Sequence, residues 1–277
     1  MIFMRDLRII FITLITITLL ISCKEDDPTQ PQEQAPDIPP QSTFVMDFTA
    51  FPDTASPAAF QKANADTIEF GNWGWAYGNA VVWKAVIDIT LAVPRLSFIA
   101  AFSQEPVQQE DGSWLWSYNV NVLGVIHTAK LYGTTTTQGV EWKMLLSRDG
   151  GYQDFEWYTG FSNLPLTQGS WTLNKDPNDP VPFLQIDWNR NPVDETADIK
   201  YTNIIPNDPE NGGYIFYGKT TNVPFNAFYD IFNKGKNNHT NVEWNLESHN
   251  GRVNDPMHFG DTDWHCWDEN LLNIVCP

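Results

Sequence analysis

The chain has 277 residues, 42% of them hydrophobic and 18% charged, with 34 acidic against 16 basic side chains and a formal net charge of −18. Nucleic-acid binding is disfavoured, because phosphate contacts need clustered Lys and Arg and no basic patch stands out. Docking of the folded part on an anionic bilayer is disfavoured on the same ground, and the acidic excess instead favours solubility at a crowded surface.

The N-terminus divides into three physical zones. Arg5 and Arg8 supply positive charge, diluted by Asp6, and Ile9 to Ile21 form an apolar run broken only by Thr13, Thr16 and Thr18. That run has the length of a signal-peptide core and falls short of the roughly 20 residues a spanning helix needs. Leu20-Ile21-Ser22-Cys23 follows, and it resembles the lipobox of bacterial lipoproteins. The resemblance implies that residues 1–22 are an export signal removed by cleavage, and that Cys23 carries a diacylglycerol group as the first mature residue. The alternative is an uncleaved anchor helix, against which stand the small residue before Cys23 and the polar sequence behind it. Lys24, Glu25, Asp26 and Asp27 are similar to the Lys-plus-acidic export signal of Bacteroidetes-type surface lipoproteins, or else are ordinary solvated linker charges. The resemblance therefore implies an outer-membrane address at the cell surface, with the membrane as a partner through the lipid on Cys23. Loss of residues 1–22 removes two Arg and one Asp and moves the net charge from −18 to −19.

Residues 23–42 read as the anchored Cys and a flexible tether, since Pro28, Pro31, Pro36, Pro39 and Pro40 punctuate polar sequence with few apolar side chains. Residues 43–277 then form a single folded domain of 235 residues, long enough for a substantial core. Phe44 to Phe48 alternates like a short strand. Asp53-Thr54-Ala55 and Asp66-Thr67-Ile68 resemble the short O-glycosylation motif of Bacteroidetes-type exported proteins. Asn79 to Val93 reads as a helix that Pro94 ends, with a second helix from about Arg95 to Phe102. The first helix is apolar nearly all round, which predicts a buried element, and Lys84 and Asp88 are spaced to pair on one face.

After about residue 112 the period is two. Trp114, Trp116, Tyr118, Val120 and Val122 alternate with Leu115, Ser117, Asn119 and Asn121, and the pattern recurs around Trp142, Trp188 and Trp244. Turn sequences such as Asp149-Gly150-Gly151, Asn211-Gly212-Gly213 and Asn250-Gly251 separate the runs. These signals predict a mainly β (α+β) fold, an antiparallel meander of about ten strands curled into a half-barrel around a buried helical pair.

Three Cys are present. With Cys23 assigned to the lipid, Cys266 and Cys276 remain, and an oxidising compartment predicts a disulfide between them worth about 2–3 kcal/mol. Four readings of the chemistry stand side by side. The apolar and aromatic excess on one face predicts a non-enzymatic role in binding an apolar or amphipathic ligand. Asp187-Trp188 and Glu243-Trp244 form a candidate glycan platform, pairing a ring with carboxylate acceptors, although most Trp residues are expected in the core. His258, Asp261, Asp263 and His265 are a candidate divalent-metal set with no standard ligand spacing; the plain alternative is a capped C-terminal loop. A carboxylate-based hydrolase built on Asp187, Glu243 and Glu247 depends on separations that sequence does not give. No catalytic residue is assigned, no resident cofactor is expected, and the oligomeric state is open.

Overall fold

The computed structural model describes residues 34–51 and 71–277. Cys23, Lys24, Glu25, Asp26 and Asp27, and both Asp-Thr motifs, lie outside the described residues. The compact unit runs from Ala35 to Pro277. Ala35 and Ile38 pack against its core and Pro39 is buried, so the boundary expected at residue 43 falls within an already packed segment.

Two helices follow the N-terminal segment: α1 over Asn72–Thr90 and α2 over Ala92–Ala101. The break lies at Leu91, three residues before the predicted one. Pro94 sits in the first turn of α2, where a missing N–H costs no helical hydrogen bond. Lys84 does pair with Asp88, which also accepts from Arg95 at 3.1 Å.

The remainder is fourteen strands in one antiparallel sheet, each paired with its sequence neighbours. They are β1 (Val107–Gln108), β2 (Trp114–Val122), β3 (Val125–Thr135), β4 (Val140–Arg148), β5 (Phe155–Ser162), β6 (Gln168–Asp176) and β7 (Asp179–Asn191), then β8 (Thr196–Asn203), β9 (Tyr214–Lys219), β10 (Ala227–Asn233), β11 (Asn238–Trp244), β12 (Gly251–Asn254), β13 (His265–Trp267) and β14 (Asn273–Ile274). A four-residue helix, α3 (Pro256–Phe259), interrupts the C-terminal strands. The mainly β, antiparallel meander is as the alternation predicts. The expectation of ten strands in a half-barrel around a helical pair is corrected: the sheet has fourteen strands, is not closed, and does not enclose the helices. Strands of two or three residues such as β1, β13 and β14 carry no readable period, which accounts for part of the undercount.

The core also differs from expectation. α2 lies against β2, and α1 against β12 and β13. Residues 41–51 form two short 3-10 turns, not a strand, and run across the inner face of the sheet. Phe44 is fully buried, its ring stacked at 4.9 Å on Phe98 of α2 and near Tyr158 and Trp171. The backbone of this segment has no ladder to satisfy it, so side-chain tips do so. Trp171 Nε1 donates to Thr43 O at 3.1 Å, Tyr201 Oη donates to Phe44 O at 3.0 Å and accepts from Met46 N at 2.8 Å, and Trp244 Nε1 donates to Ala50 O at 3.0 Å. Trp171, Tyr201 and Trp244 thus fill volume and carry a polar tip to this segment, whereas Tyr158 Oη, Trp188 Nε1 and Tyr229 Oη are buried with no hydrogen-bond partner among the described residues. Because that segment occupies the core, α1 is not buried all round as its composition predicts; Val82, Val86 and Ile89 are 62%, 50% and 81% exposed. No described helix is long and apolar enough to cross a membrane.

Candidate functional site

The open face of α1 and the facing part of the sheet bound a groove of about 780 Å³. On α1, Trp75, Asn79, Val82, Val86 and Thr90 recur at three- and four-residue spacing and form one stripe. Gly78 leaves room on the same side, since a Cβ there would meet no atom within 4 Å. From Gly74 to Thr90 the helix rises about 24 Å, which sets the length of the groove. The other wall is supplied by Phe183 of β7, Tyr201 of β8, Ile205, and Ile231 and Phe232 of β10. Polar groups gather at two places: Lys236, Asn233 and Glu210 on the rim, and Asp255, Asn238 and Thr240 toward the start of α1. The volume lies within the range of small-molecule sites, and a mostly apolar lining with few polar groups is their usual make-up.

Asp255 fastens the N-terminal end of this groove. It is 3% exposed, and its carboxylate accepts from Thr240 Oγ1 at 2.7 Å, Asn238 Nδ2 at 2.8 Å and Trp75 Nε1 at 3.0 Å, and from Met257 N and His258 N at 3.2 Å each. Burial pushes its pKa up, but the hydrogen bonds from Asn238, Thr240, Trp75 and His258 N together outweigh that and hold it below the ordinary carboxylate value. One side chain thereby ties α1, β11 and the N-terminus of α3 together. Trp75 is held on its other side by the His258 ring, parallel at 3.6 Å, and burial lowers the His258 pKa.

The predicted sites fare differently. Cys266 and Cys276 form the disulfide, with Cα atoms 5.1 Å apart. Trp188 and Trp244 are 1% and 0% exposed, so neither offers a ring face to a sugar, and the predicted platform is corrected on that ground. Of its acids, Asp187 is exposed, while Glu243 is paired with Arg252 at 2.6 Å, the guanidinium lying over the Trp264 ring at 4.2 Å. Asp187 on β7 and Glu243 on β11 lie four strand spacings apart, about 19 Å along the sheet, too far for the two carboxylates of a glycosidase. In the C-terminal set, His265 Nε2 meets Asp261 Oδ1 at 3.0 Å, which lowers the Asp261 pKa. His258 stacks on Trp75, and His265 stacks on Phe259 at 3.7 Å. Among the described residues no three His, Cys, Asp or Glu side chains converge as a metal cage, so His258, Asp261, Asp263 and His265 are not brought together as one ligand set. His127 is buried, with Nδ1 3.2 Å from Val125 O, and its desolvation lowers its pKa.

Sequence reasoning missed the α1 stripe and Asp255. Val82 and Val86 sit in a run apolar on every side, so no periodic signal marks the face turned to the groove. Asp255-Pro256 does carry a helix-start signal, since Asp before Pro suits an N-cap. No family model matches this chain, and neither does any curated protein or solved structure.

Proposed function

We propose that this chain is a lipid-anchored lipoprotein of the outer surface, whose folded unit binds an acyl-chain-bearing amphiphile in the groove along α1 without altering it chemically. The supporting observation is the groove of about 780 Å³ in which Val82, Trp83, Val86 and Ile87 face Phe183 and Ile231. Valines left 62% and 50% exposed on a helix are a standing hydrophobic cost, and covering the part of each that is still exposed returns roughly 1–2 kcal/mol. The polar groups at the two ends of the groove suit a ligand with a polar head more than a plain hydrocarbon. The address rests on the sequence signals around Cys23, where several acyl chains on one sulfur hold a protein firmly at a bilayer.

Native mass spectrometry of gently purified protein tests the reading. A co-purifying mass in the lipid range is expected on the wild type and absent from a Val82→Arg/Val86→Arg variant. Bare wild-type protein in the presence of its native membrane lipids contradicts it. Metabolic labelling with palmitate tests the address separately: label is expected on the wild type and not on Cys23→Ala.

A further inference from the structure

A second cavity, of about 370 Å³, opens on the opposite face of the sheet from the core, among β7, β8, β9 and the loop after β9. Trp188, Ile199 and Tyr229 are buried, so their neighbours Asn189, Asp198 and Phe228 point outward. Register sets these in one row: Asn189 opposite Asp198, Asp198 opposite Gly218, and Gly218 opposite Phe228. The Phe228 ring folds back over the strand beside it. A Cβ on Gly218 would lie 2.2 Å from the ring, so only glycine there lets the ring lie down on the sheet. The result is an aromatic floor beside a carboxylate.

The polar groups around that floor are of mixed type and partly unengaged. Asp198 Oδ1 accepts from Asn189 Nδ2 at 2.8 Å, and Oδ2 has no donor among the described residues. Lys219 has no ion pair among the described residues, and Arg190 gives its guanidinium only to Leu166 O at 3.4 Å. Asp194 and the Thr220–Asn222 loop complete the wall. An apolar ligand finds too many polar groups here. An anion meets two carboxylates, and a simple cation meets Lys219 and Arg190. A neutral sugar suits all of them, because its hydroxyls both donate and accept while its C–H face covers a ring.

We propose that this cavity is a second binding site, independent of the groove, that takes one or two rings of a neutral saccharide, with Phe228 as the stacking floor and Asp198, Asn189, Lys219 and Arg190 as hydroxyl partners. Saturation-transfer NMR and calorimetry with maltohexaose, cellohexaose, xylohexaose and mannohexaose at up to about 10 mM test it. At least one sugar is expected to bind. Its affinity is expected to fall roughly tenfold in Phe228→Ala and in Asp198→Asn, and also in Gly218→Val, which displaces the ring without touching its chemistry. Lys219→Ala, at a loop margin, keeps the test open if a sheet variant melts early. The groove variant Val82→Arg/Val86→Arg is expected to bind the sugar as the wild type does. Absence of binding by all four sugars overturns the proposal. So does an affinity that Phe228→Ala, Asp198→Asn and Lys219→Ala all leave within about twofold.

Discussion

A carboxylate 3% exposed survives at Asp255 because its five donors are neutral groups already fixed by the fold, two of them backbone N–H of the α3 first turn. Its folded pKa lies below the unfolded value of about 3.9, so its contribution is whole above that value and is lost as pH falls through the folded one. Thermal melts are therefore expected to weaken below about pH 4, and Asp255→Asn to flatten that part of the profile. At neutral pH the same variant should cost about 2–3 kcal/mol, since the amide replaces one acceptor by a donor facing donors. Melts of both proteins across the acid range check both statements. Tyr201 supplies a second residue-scale test. Tyr201→Phe removes the donor to Phe44 O and the acceptor for Met46 N, and is expected to cost about 1–3 kcal/mol in chemical denaturation with little change of fold.

At the scale of elements, α1 is the informative case. Its charged pair, Lys84 with Asp88, was legible from spacing, because four residues along a helix always return to the same face. Its burial was not, because an apolar run has no period and so cannot say which side meets a core and which a groove. The strand alternation was legible for the opposite reason: inward Trp116, Tyr118, Val120 and Val122 have outward polar partners. Phe44, Met46 and Phe48 show the limit of that reasoning. They alternate as in a strand, yet the backbone at and beside them bonds to the tips of Tyr201 and Trp171 from distant strands, information that no local window holds. The glycan platform failed similarly, since the inward parity that makes Trp188 and Trp244 good core residues also hides their faces. The groove face of α1 is expected to tolerate charge: Val82→Arg/Val86→Arg should leave unfolding free energy within about 0.5 kcal/mol per site while abolishing uptake of an acyl probe. The C-terminal strands depend on their disulfide, and Cys266→Ser/Cys276→Ser is expected to lower stability by about 2–3 kcal/mol, read by denaturant midpoints.

For the whole molecule, consecutive pairing makes the sheet a ribbon whose two ends are held by the two helices, α2 at β2 and α1 at β12 and β13. Both edges end on strands of two residues, β1 and β14, which offer little for another chain to pair with. A photoreactive diazirine fatty acid, cross-linked to the full-length protein and mapped by peptide sequencing, tests the binding claim most directly. Label is expected within residues 74–90 and on the facing residues 201–205 and 231–233, and to disappear from Val82→Arg/Val86→Arg. Label absent from α1, or unchanged by that variant, would contradict an acyl-binding groove.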